Sequence, residues 1–296
     1  MPKKSVFIFI VLLAALALVV LAFLAFPQRQ APQASAKLTV AATFLPVADI
    51  AKHIGGPDVQ VVTLLPPGAS PHTFQPTPEQ IKELQDAKTI LAIGHGIDDW
   101  ARTLADNVPG IRYLVTDRDI KLRQAADGMV DPHYWLDAKN GKIIARNIAF
   151  ELARLDPPHA ADYQLRLDDY QASLDALDQR IRDLFKDKTA KEIVTHHDAW
   201  QYFAAAYGLK VAGVLEPVPG RELTPQELAA LENTIRQDKI KVVYSEPELS
   251  DQLLIPLAKD TGVKIVNLDP EGGSDGIASY QDILLKNAQT LAQNME

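Results

Sequence analysis

The 296-residue sequence contains no cysteine. Disulfides, thiolate metal sites, a cysteine nucleophile and a lipid anchor attached through cysteine are therefore excluded. If this protein binds a metal, imidazole and carboxylate groups must hold it. The 7 histidines of the chain are consequently the first side chains to consider.

The sequence also lacks an excess of basic residues. Its 30 Lys and Arg residues stand against 38 Asp and Glu residues, and the net charge of −8 leaves no basic footprint for nucleic acid. No His-Glu-x-x-His helix is present, which argues against a zinc hydrolase, and we expect no enzyme. The length and the 47% hydrophobic composition are enough to bury a large core in two lobes.

The first residues have the features of an export signal. Lys3 and Lys4 precede an apolar run from Val6 to Phe26, and a small-residue pattern ends at Ala36. The run is long enough to span a bilayer, so the alternative to cleavage after Ala36 is a retained N-terminal anchor. In both cases we predict a body that is periplasmic or otherwise extracytoplasmic.

Short apolar strands alternate with helical patterns in two separate stretches. The first stretch runs from Leu38 to Val115 and the second from Glu192 to Leu268, with four strands in each. Such alternation is typical of a mainly parallel sheet covered by helices on both faces. The sequence therefore predicts an α/β fold with two lobes, each a mainly parallel four-stranded sheet flanked by helices.

A long helix is predicted between these two stretches. No Gly or Pro interrupts His159 to Lys186, and apolar residues from Tyr163 to Leu184 form one stripe. The pattern alone also fits a coiled coil, but its position favours one rigid helix that joins the lobes, about 40 Å long at ~1.5 Å per residue. The predicted domains are 1–36 (signal peptide or anchor plus tether), 37–157 (N-terminal lobe), 158–187 (connecting helix) and 188–296 (C-terminal lobe).

Four motifs place potential metal ligands along the chain. His72 lies between prolines just beyond a predicted strand, and His133 follows Asp131-Pro132, where the proline restricts the backbone. His197 precedes Asp198-Ala199-Trp200, and Asp269 precedes a proline at the end of the last strand. Because ligands of parallel sheets gather at the carboxyl ends of the strands, these positions suit a binding site.

In this order the four motifs resemble those of the zinc/manganese-type substrate-binding proteins of ABC metal importers, over nearly the whole chain after residue 37. The resemblance implies that His72, His133, His197 and Asp269 bind one divalent metal ion, two from each lobe. It also implies a single helix between the lobes, small closure motions, and delivery of the metal to an ABC permease in the membrane. We expect the protein to be a monomer.

Three imidazoles and one carboxylate suit tetrahedral Zn²⁺. In manganese-selective relatives a Glu often replaces the third His, so zinc is the expected ligand. A receptor of the same type for Mn²⁺ or iron is the alternative, and a surface adhesin is a second alternative. Against zinc, the segment from Asp117 to Val130 lacks the His-rich loop that many zinc-selective relatives carry.

Several assignments stay open at this point. His196 is the other candidate for the third ligand, and otherwise it orients a neighbour or faces solvent. His95 stands where the family usually has an Asn-Gly loop, so capping or solvent exposure is favoured over ligation. His53 and His159 are expected to be structural or exposed. The carboxylates near the motifs that could orient the rings are Asp131, Asp198 and Glu246.

Overall fold

The computed structural model describes residues 37–125, 127–217, 221, 223–274 and 276–296. The predicted leader, residues 1–36, therefore lies outside the described residues. Within the described part of the chain, no helix combines the length and the apolar character that crossing a membrane requires.

Four parallel strands form the sheet of the first lobe. They are β1 (Leu38–Ala42), β2 (Val59–Thr63), β3 (Thr89–Ala92) and β4 (Arg112–Val115). Their order is β2-β1-β3-β4, and every neighbouring pair is parallel. The central strand β3 is buried along its whole length, as expected for a parallel sheet with both faces covered.

Three helices cover this sheet: α1 (Leu45–Gly55), α2 (Pro78–Glu83) and α3 (Trp100–Asp106). The predicted start of α2 is confirmed. Thr77 is its N-cap and forms a capping box with Gln80, whose side-chain oxygen accepts the Thr77 backbone N–H at 2.6 Å. Pro78 occupies the first helical position, where its missing N–H costs nothing.

Two consecutive helices lead from the first lobe to the second. A one-turn 3₁₀ segment, Tyr134–Leu136, precedes α4 (Ala138–Leu155), and α5 (Ala160–Phe185) follows with 26 residues. The long connecting helix predicted from the sequence is confirmed. Its apolar stripe is buried, and the buried residues are Tyr163, Leu167, Tyr170, Leu174, Leu177, Ile181 and Phe185.

The second lobe repeats the arrangement of the first. Its strands are β5 (Glu192–His197), β6 (Lys210–Glu216), β7 (Val242–Ser245) and β8 (Lys264–Asn267), in the order β6-β5-β7-β8 and all parallel. Its helices are α6 (Gln201–Tyr207), α7 (Pro225–Gln237), α8 (Leu254–Thr261) and α9 (Tyr280–Gln293). The predicted fold class is confirmed in both lobes.

One apolar core runs through both lobes by way of α5. Residues of α1 such as Ile50, residues of α6 such as Phe203, and the stripe of α5 all belong to the same buried cluster. The last helix, α9, packs on α5 and also on α1 of the first lobe. Tyr280 fixes this contact, because its backbone N–H donates to Asp49 at 2.9 Å. The chain therefore returns to the first lobe at its C-terminal end.

Candidate metal centre

The three predicted histidines lie together where the carboxyl ends of the two sheets face each other. His72 is in the loop after β2, His133 immediately precedes the Tyr134–Leu136 turn, and His197 is the last residue of β5. Each offers one ring nitrogen, and these three nitrogens all lie within 4.8 Å of one another. Within the described residues, these histidines form the cluster that could hold a metal ion.

The Nε2 atoms of these rings converge. His133 Nε2 lies 3.3 Å from His72 Nε2 and 3.1 Å from His197 Nε2. A tetrahedral ion with metal–nitrogen bonds of about 2.0–2.1 Å would separate its nitrogens by about 3.4 Å. The observed spacing therefore matches three corners of a tetrahedral site. His133 and His197 are 4% and 5% exposed, so water is largely excluded from this point.

Asp131 orients the His133 ring. Its Oδ1 lies 2.9 Å from His133 Nδ1 and also accepts the His133 backbone N–H at 3.0 Å. An ionised carboxylate can only accept, so Nδ1 carries the proton and Nε2 keeps its lone pair for a metal. Asp131 Oδ2 is buried and has no hydrogen-bond partner among the described residues. Burial accordingly raises the pKa of Asp131 to about 6.

Glu246, which follows β7, has the same relation to His197. Its Oε2 lies 2.6 Å from His197 Nδ1, and its Oε1 accepts the Trp200 indole N–H at 3.3 Å. The ring nitrogen that faces the other histidines is therefore again Nε2. Of the three carboxylates named from the sequence, Asp131 and Glu246 contact ligand candidates, whereas Asp198 accepts a hydrogen bond from Gln201.

The pKa values of the three rings are shifted in different directions. Burial, followed by the neighbouring histidines, lowers the pKa of His72 to about 2. Burial also lowers the pKa of His133 well below its usual value. Burial acts in the same direction on His197, but the Glu246 carboxylate outweighs it and raises the pKa of His197 above the usual value. Two neutral imidazoles are thus ready to donate lone pairs, and one proton is held near the third.

The turn after His133 connects the centre to both lobes. Trp135 Nε1 donates to the Pro270 carbonyl at 2.8 Å, and the Trp135 ring packs edge-on against Phe44 at 5.2 Å. The Tyr134 hydroxyl donates to the carbonyl of Ile93 at 2.8 Å. Trp135 and Leu136 are fully buried, as the sequence predicted for the anchors of this turn.

Asp269 lies at the end of β8 but outside the group of three histidines. Its Oδ1 accepts the backbone N–H groups of Glu271 and Gly272, and its Oδ2 accepts that of Ser274 at 3.0 Å. These bonds shape the loop that follows β8. The carboxylate oxygens still have lone pairs available for a cation. Its role as the fourth ligand stays a prediction.

A small cavity beside His72 and His197 is lined by further carboxylates. Its volume is about 150 Å³, and its lining includes Glu246, Glu248 and Glu271 but no Lys or Arg among the described residues. Burial raises the pKa of Glu248 to about 7, and burial together with Glu248 raises the pKa of Glu271 well above its usual value. A bound cation would offset the repulsion between these carboxylates.

The sequence did not single out Glu248 or Glu271 as part of the site. Glu248 lies three residues beyond β7, and Glu271 lies two residues beyond Asp269, so position at the carboxyl end of a strand is the signal that could have identified both.

The remaining histidines lie outside the group of three. His196 is 1% exposed, so the suggestion that it faces solvent is wrong, and neither ring nitrogen has a hydrogen-bond partner among the described residues. His53 is half exposed beside Asp49, and His159 pairs with Asp156 at 2.7 Å. His95 lines a second cavity next to the centre.

The chain is similar to known proteins over most of its length. The chain is 30% identical over 277 residues to the manganese ABC transporter substrate-binding lipoprotein PsaA of Streptococcus mitis, covering 88% of this chain and 89% of that protein. A crystal structure of ZnuA superposes with a TM-score of 0.81 at 28% identity, covering 88% of this chain and 99% of that one.

A third relative is the laminin binding protein Lmb of Streptococcus agalactiae, described as a bifunctional protein with adhesin and metal transporting activity. It has a TM-score of 0.79 and 26% identity, covering 88% of this chain and 99% of that one. The family model for ZnuA, the periplasmic component A of the zinc-uptake complex, matches residues 40–294. This protein therefore belongs to the ZnuA family, as its four motifs suggested.

Proposed function

We propose that this protein is the extracytoplasmic receptor of an ABC importer, which captures a divalent metal ion between its lobes and delivers it to a membrane permease. The observation that carries the proposal is the convergence of three histidine Nε2 atoms at 3.1 and 3.3 Å. Membership of a family of substrate-binding proteins supports it. We propose no enzymatic activity, because four ligands would leave no open position for a substrate.

The proposed ligands are His72, His133, His197 and Asp269, and the proposed metal is Zn²⁺. Three imidazole nitrogens with one carboxylate are a usual tetrahedral zinc set, whereas Mn²⁺ prefers sites with more oxygen. Asp269 would complete this set from the loop that follows β8. Mn²⁺ is the competing candidate, because PsaA is named a manganese protein.

Capture requires both lobes. His72 and His133 come from the first lobe, and His197 and Asp269 from the second, so a bound ion would add its own bonds to the contact between the lobes. Asp131 and Glu246 hold two of the rings with Nε2 facing inward before the metal arrives, so little side-chain ordering remains to be done on binding. The proposed bounds of the lobes remain 37–157 and 188–296, with 158–187 between them.

Location outside the cytoplasm is part of the proposal. ZnuA is a periplasmic component of the zinc-uptake complex, and PsaA is a lipoprotein. This sequence has no cysteine to carry a lipid, so we propose that the apolar run before Ala36 directs export and is then either cleaved or kept as an anchor. Adhesion, the other activity in the description of Lmb, is supported by no observation on this chain, and we do not propose it.

Calorimetric titration of the metal-free protein with zinc and with manganese at neutral pH tests the proposal. We expect one equivalent of zinc to bind, more tightly than manganese. His133→Ala should abolish tight binding, because it removes the nitrogen shared by both short Nε2 contacts. His159→Ala is the matched control, a histidine with a carboxylate partner away from the centre. Tight zinc binding by His133→Ala would contradict the assignment of the site.

A further inference from the structure

A second cavity adjoins the three histidines, and its lining differs from that of the Glu-lined one. Its volume is about 220 Å³, and its lining includes the rings of His72, His133 and His197 together with His95 and Asp198. The histidines that line this cavity differ in exposure. The His95 side chain is 21% exposed, whereas those of His133 and His197 are 5% and 6% exposed. An ion in this cavity can therefore contact His95 before it reaches the two buried rings.

The turn that carries His95 is held in an uncommon conformation. His95 has a φ of 58°, a left-handed value that few residues with a side chain adopt. Asp98 is fully buried and fixes the turn, because it accepts the N–H of Ile93 at 2.8 Å, the N–H of Gly94 at 2.6 Å and the hydroxyl of Thr43 at 2.6 Å. Such conformations persist where the surroundings enforce them, often at functional sites.

Close packing leaves this turn little room to change. A Cβ atom on Gly94, whose own φ is 78°, would lie 2.8 Å from Val115 Cγ1, so β4 packs directly against the turn. His95 follows β3, and Asp117 follows the adjacent strand β4. Ala92 at the end of β3 is paired with Val115 at the end of β4. The two neighbouring strand ends therefore bring the imidazole and the carboxylate together.

His95 and Asp117 repeat the arrangement found behind His133 and His197. His95 Nε2 lies 2.9 Å from Asp117 Oδ2. Because an ionised carboxylate only accepts, Nε2 carries the proton and Nδ1 keeps its lone pair. The cavity thus contains a third imidazole oriented by a carboxylate, and such backing is the usual support of metal-binding histidines. His159 with Asp156 is a comparable pair, but it does not line the cavity.

We infer that His95, oriented by Asp117, is a transient ligand that the metal ion contacts on its way to and from the centre. The inference rests on the proposed function of the centre itself. The ion would first exchange a water molecule for His95 Nδ1 and would then pass to the more buried His133 and His197. Zn²⁺, or another divalent ion that favours imidazole, is the chemical class that such a ligand takes.

A transient ligand has a distinct kinetic signature. It stabilises the rate-limiting transition state between free and bound metal, and it contacts the ion in neither end state. Removing it therefore slows association and dissociation by the same factor and leaves the Kd unchanged. A residue with only a structural role would alter the Kd or the stability, and a final ligand would weaken binding.

Stopped-flow tryptophan fluorescence with zinc measures both rate constants, dissociation being followed by addition of a chelator. Trp135 reports on the centre, because its ring lies 5.3 Å from that of His133. The test variant is His95→Asn, since Asn tolerates a positive φ but has no imidazole. Asp117→Asn removes the orienting charge but keeps the shape. The matched control is the pair His159→Asn and Asp156→Asn.

We expect His95→Asn to slow association and dissociation equally, each several-fold, with an unchanged Kd. Asp117→Asn should slow both rates to a smaller extent, and the control variants should behave as the wild-type protein. If His95→Asn proves unstable, His95→Gly repeats the test, because glycine adopts a φ of 58° without strain.

Two outcomes would overturn the inference. One is a His95→Asn protein with wild-type rate constants. The other is a His95→Asn protein whose Kd rises while its dissociation accelerates, which would make His95 part of the final site. Failure of the proposed function is distinguishable from both, because the wild-type protein itself would then bind no zinc, and the inference would fall with it.

Discussion

His133 and His197 depend on carboxylates that the described structure places directly behind their rings. Asp131 lies two residues before His133 and is close to it because of the chain itself. Glu246 is 49 residues from His197 and reaches it because β5 and β7 are neighbours in the sheet. The orientation of His197 is therefore a property of the second sheet, whereas that of His133 is local.

Replacement of His197 tests how ligand type controls metal choice. His197→Glu exchanges an imidazole for an oxygen ligand and adds a negative charge beside Glu246. Zinc should lose affinity, and manganese should lose less or gain. His197→Ala should weaken both metals, because it opens a coordination position to water. Calorimetric titration with each metal gives the comparison.

His196→Ala is the control for this series, since His196 is the adjacent residue and its ring lies outside the group of three. It should change either affinity little. Loss of zinc binding in His196→Ala but not in His197→Ala would reverse the assignment of the third ligand. An unchanged preference in His197→Glu would show that this position does not determine selectivity.

The raised pKa of His197 predicts how zinc affinity depends on pH. Above that pKa the Nε2 lone pair is free, and below it the metal must displace a proton, so affinity should fall about tenfold per pH unit on acidification. Because the folded pKa is raised, the fall should begin above the usual histidine value of about 6.5. Titrations in a series of buffers measure the onset.

Glu246→Gln tests whether Glu246 sets the pH dependence of zinc binding, while His197 itself is kept as a ligand. It removes the charge that raises the pKa of His197, so the onset should move to lower pH. It should also weaken zinc binding at high pH by about 10–100-fold, the usual effect of removing a group that orients a ligand. An onset at the same pH as in the wild-type protein would show that another group is titrating.

The histidine motifs were visible in the sequence because prolines and strand ends mark them. His72, His133 and His197 could be predicted from such local features together with family resemblance. Glu248, Glu271 and the His95–Asp117 pair could not, because their significance depends on which strands are neighbours. A single strand end shows that a residue lies at an edge, but not what it faces there.

Among the helices, α5 was predicted almost to the residue, because an unbroken stripe of apolar residues needs no knowledge of the partner. The extent of α4 was not predicted, although Asp137 caps its start by accepting the Lys139 N–H at 2.8 Å. The contact of α9 with the first lobe was also not predicted. It depends on Tyr280 meeting Asp49, 231 positions away in the chain.

Gly141 in α4 tests how tightly these helices pack. A Cβ atom at Gly141 would collide with the ring and hydroxyl of Tyr280, and that hydroxyl is held because it donates to the Trp135 carbonyl at 2.6 Å. Gly141→Ala should therefore destabilise the protein by roughly 1–3 kcal/mol. The intrinsic helix preference alone would instead stabilise it by about 1 kcal/mol.

Urea denaturation measures this difference. Gly213→Ala is the comparison, since its added Cβ would meet only the end of the flexible Leu231 side chain, and it should cost less. A gain in stability for Gly141→Ala would mean that α4 and α9 can separate more easily than their contacts indicate.

For the whole molecule, the lobes share contacts that do not depend on a metal. Trp135 donates to the carbonyl of Pro270, and the Tyr202 hydroxyl accepts the Arg123 N–H at 2.7 Å. Both bonds join residues of the first lobe to residues of the second. Together with α5, they should limit how far the lobes can move apart when the metal leaves.

Small-angle X-ray scattering of the protein with zinc and with a chelator tests this limit. We expect nearly the same radius of gyration in both states, because α5 packs on α1, α4 and α9 along its length. Trp135→Phe, which removes the bond to Pro270, should increase any difference. A large expansion of the wild-type protein without metal would show that α5 bends as a hinge.

The apolar core that runs through α5 into both lobes has a consequence for heat denaturation. Lobes with separate cores would melt separately, and a ligand held by one would protect only that one. Here the same buried cluster includes residues of α1, α5 and α6, so the body should lose its structure in one cooperative transition. Zinc at ~100 times its Kd would raise the free energy of unfolding by about 2.7 kcal/mol. The calorimetric peak should then move to higher temperature as a whole, without splitting in two.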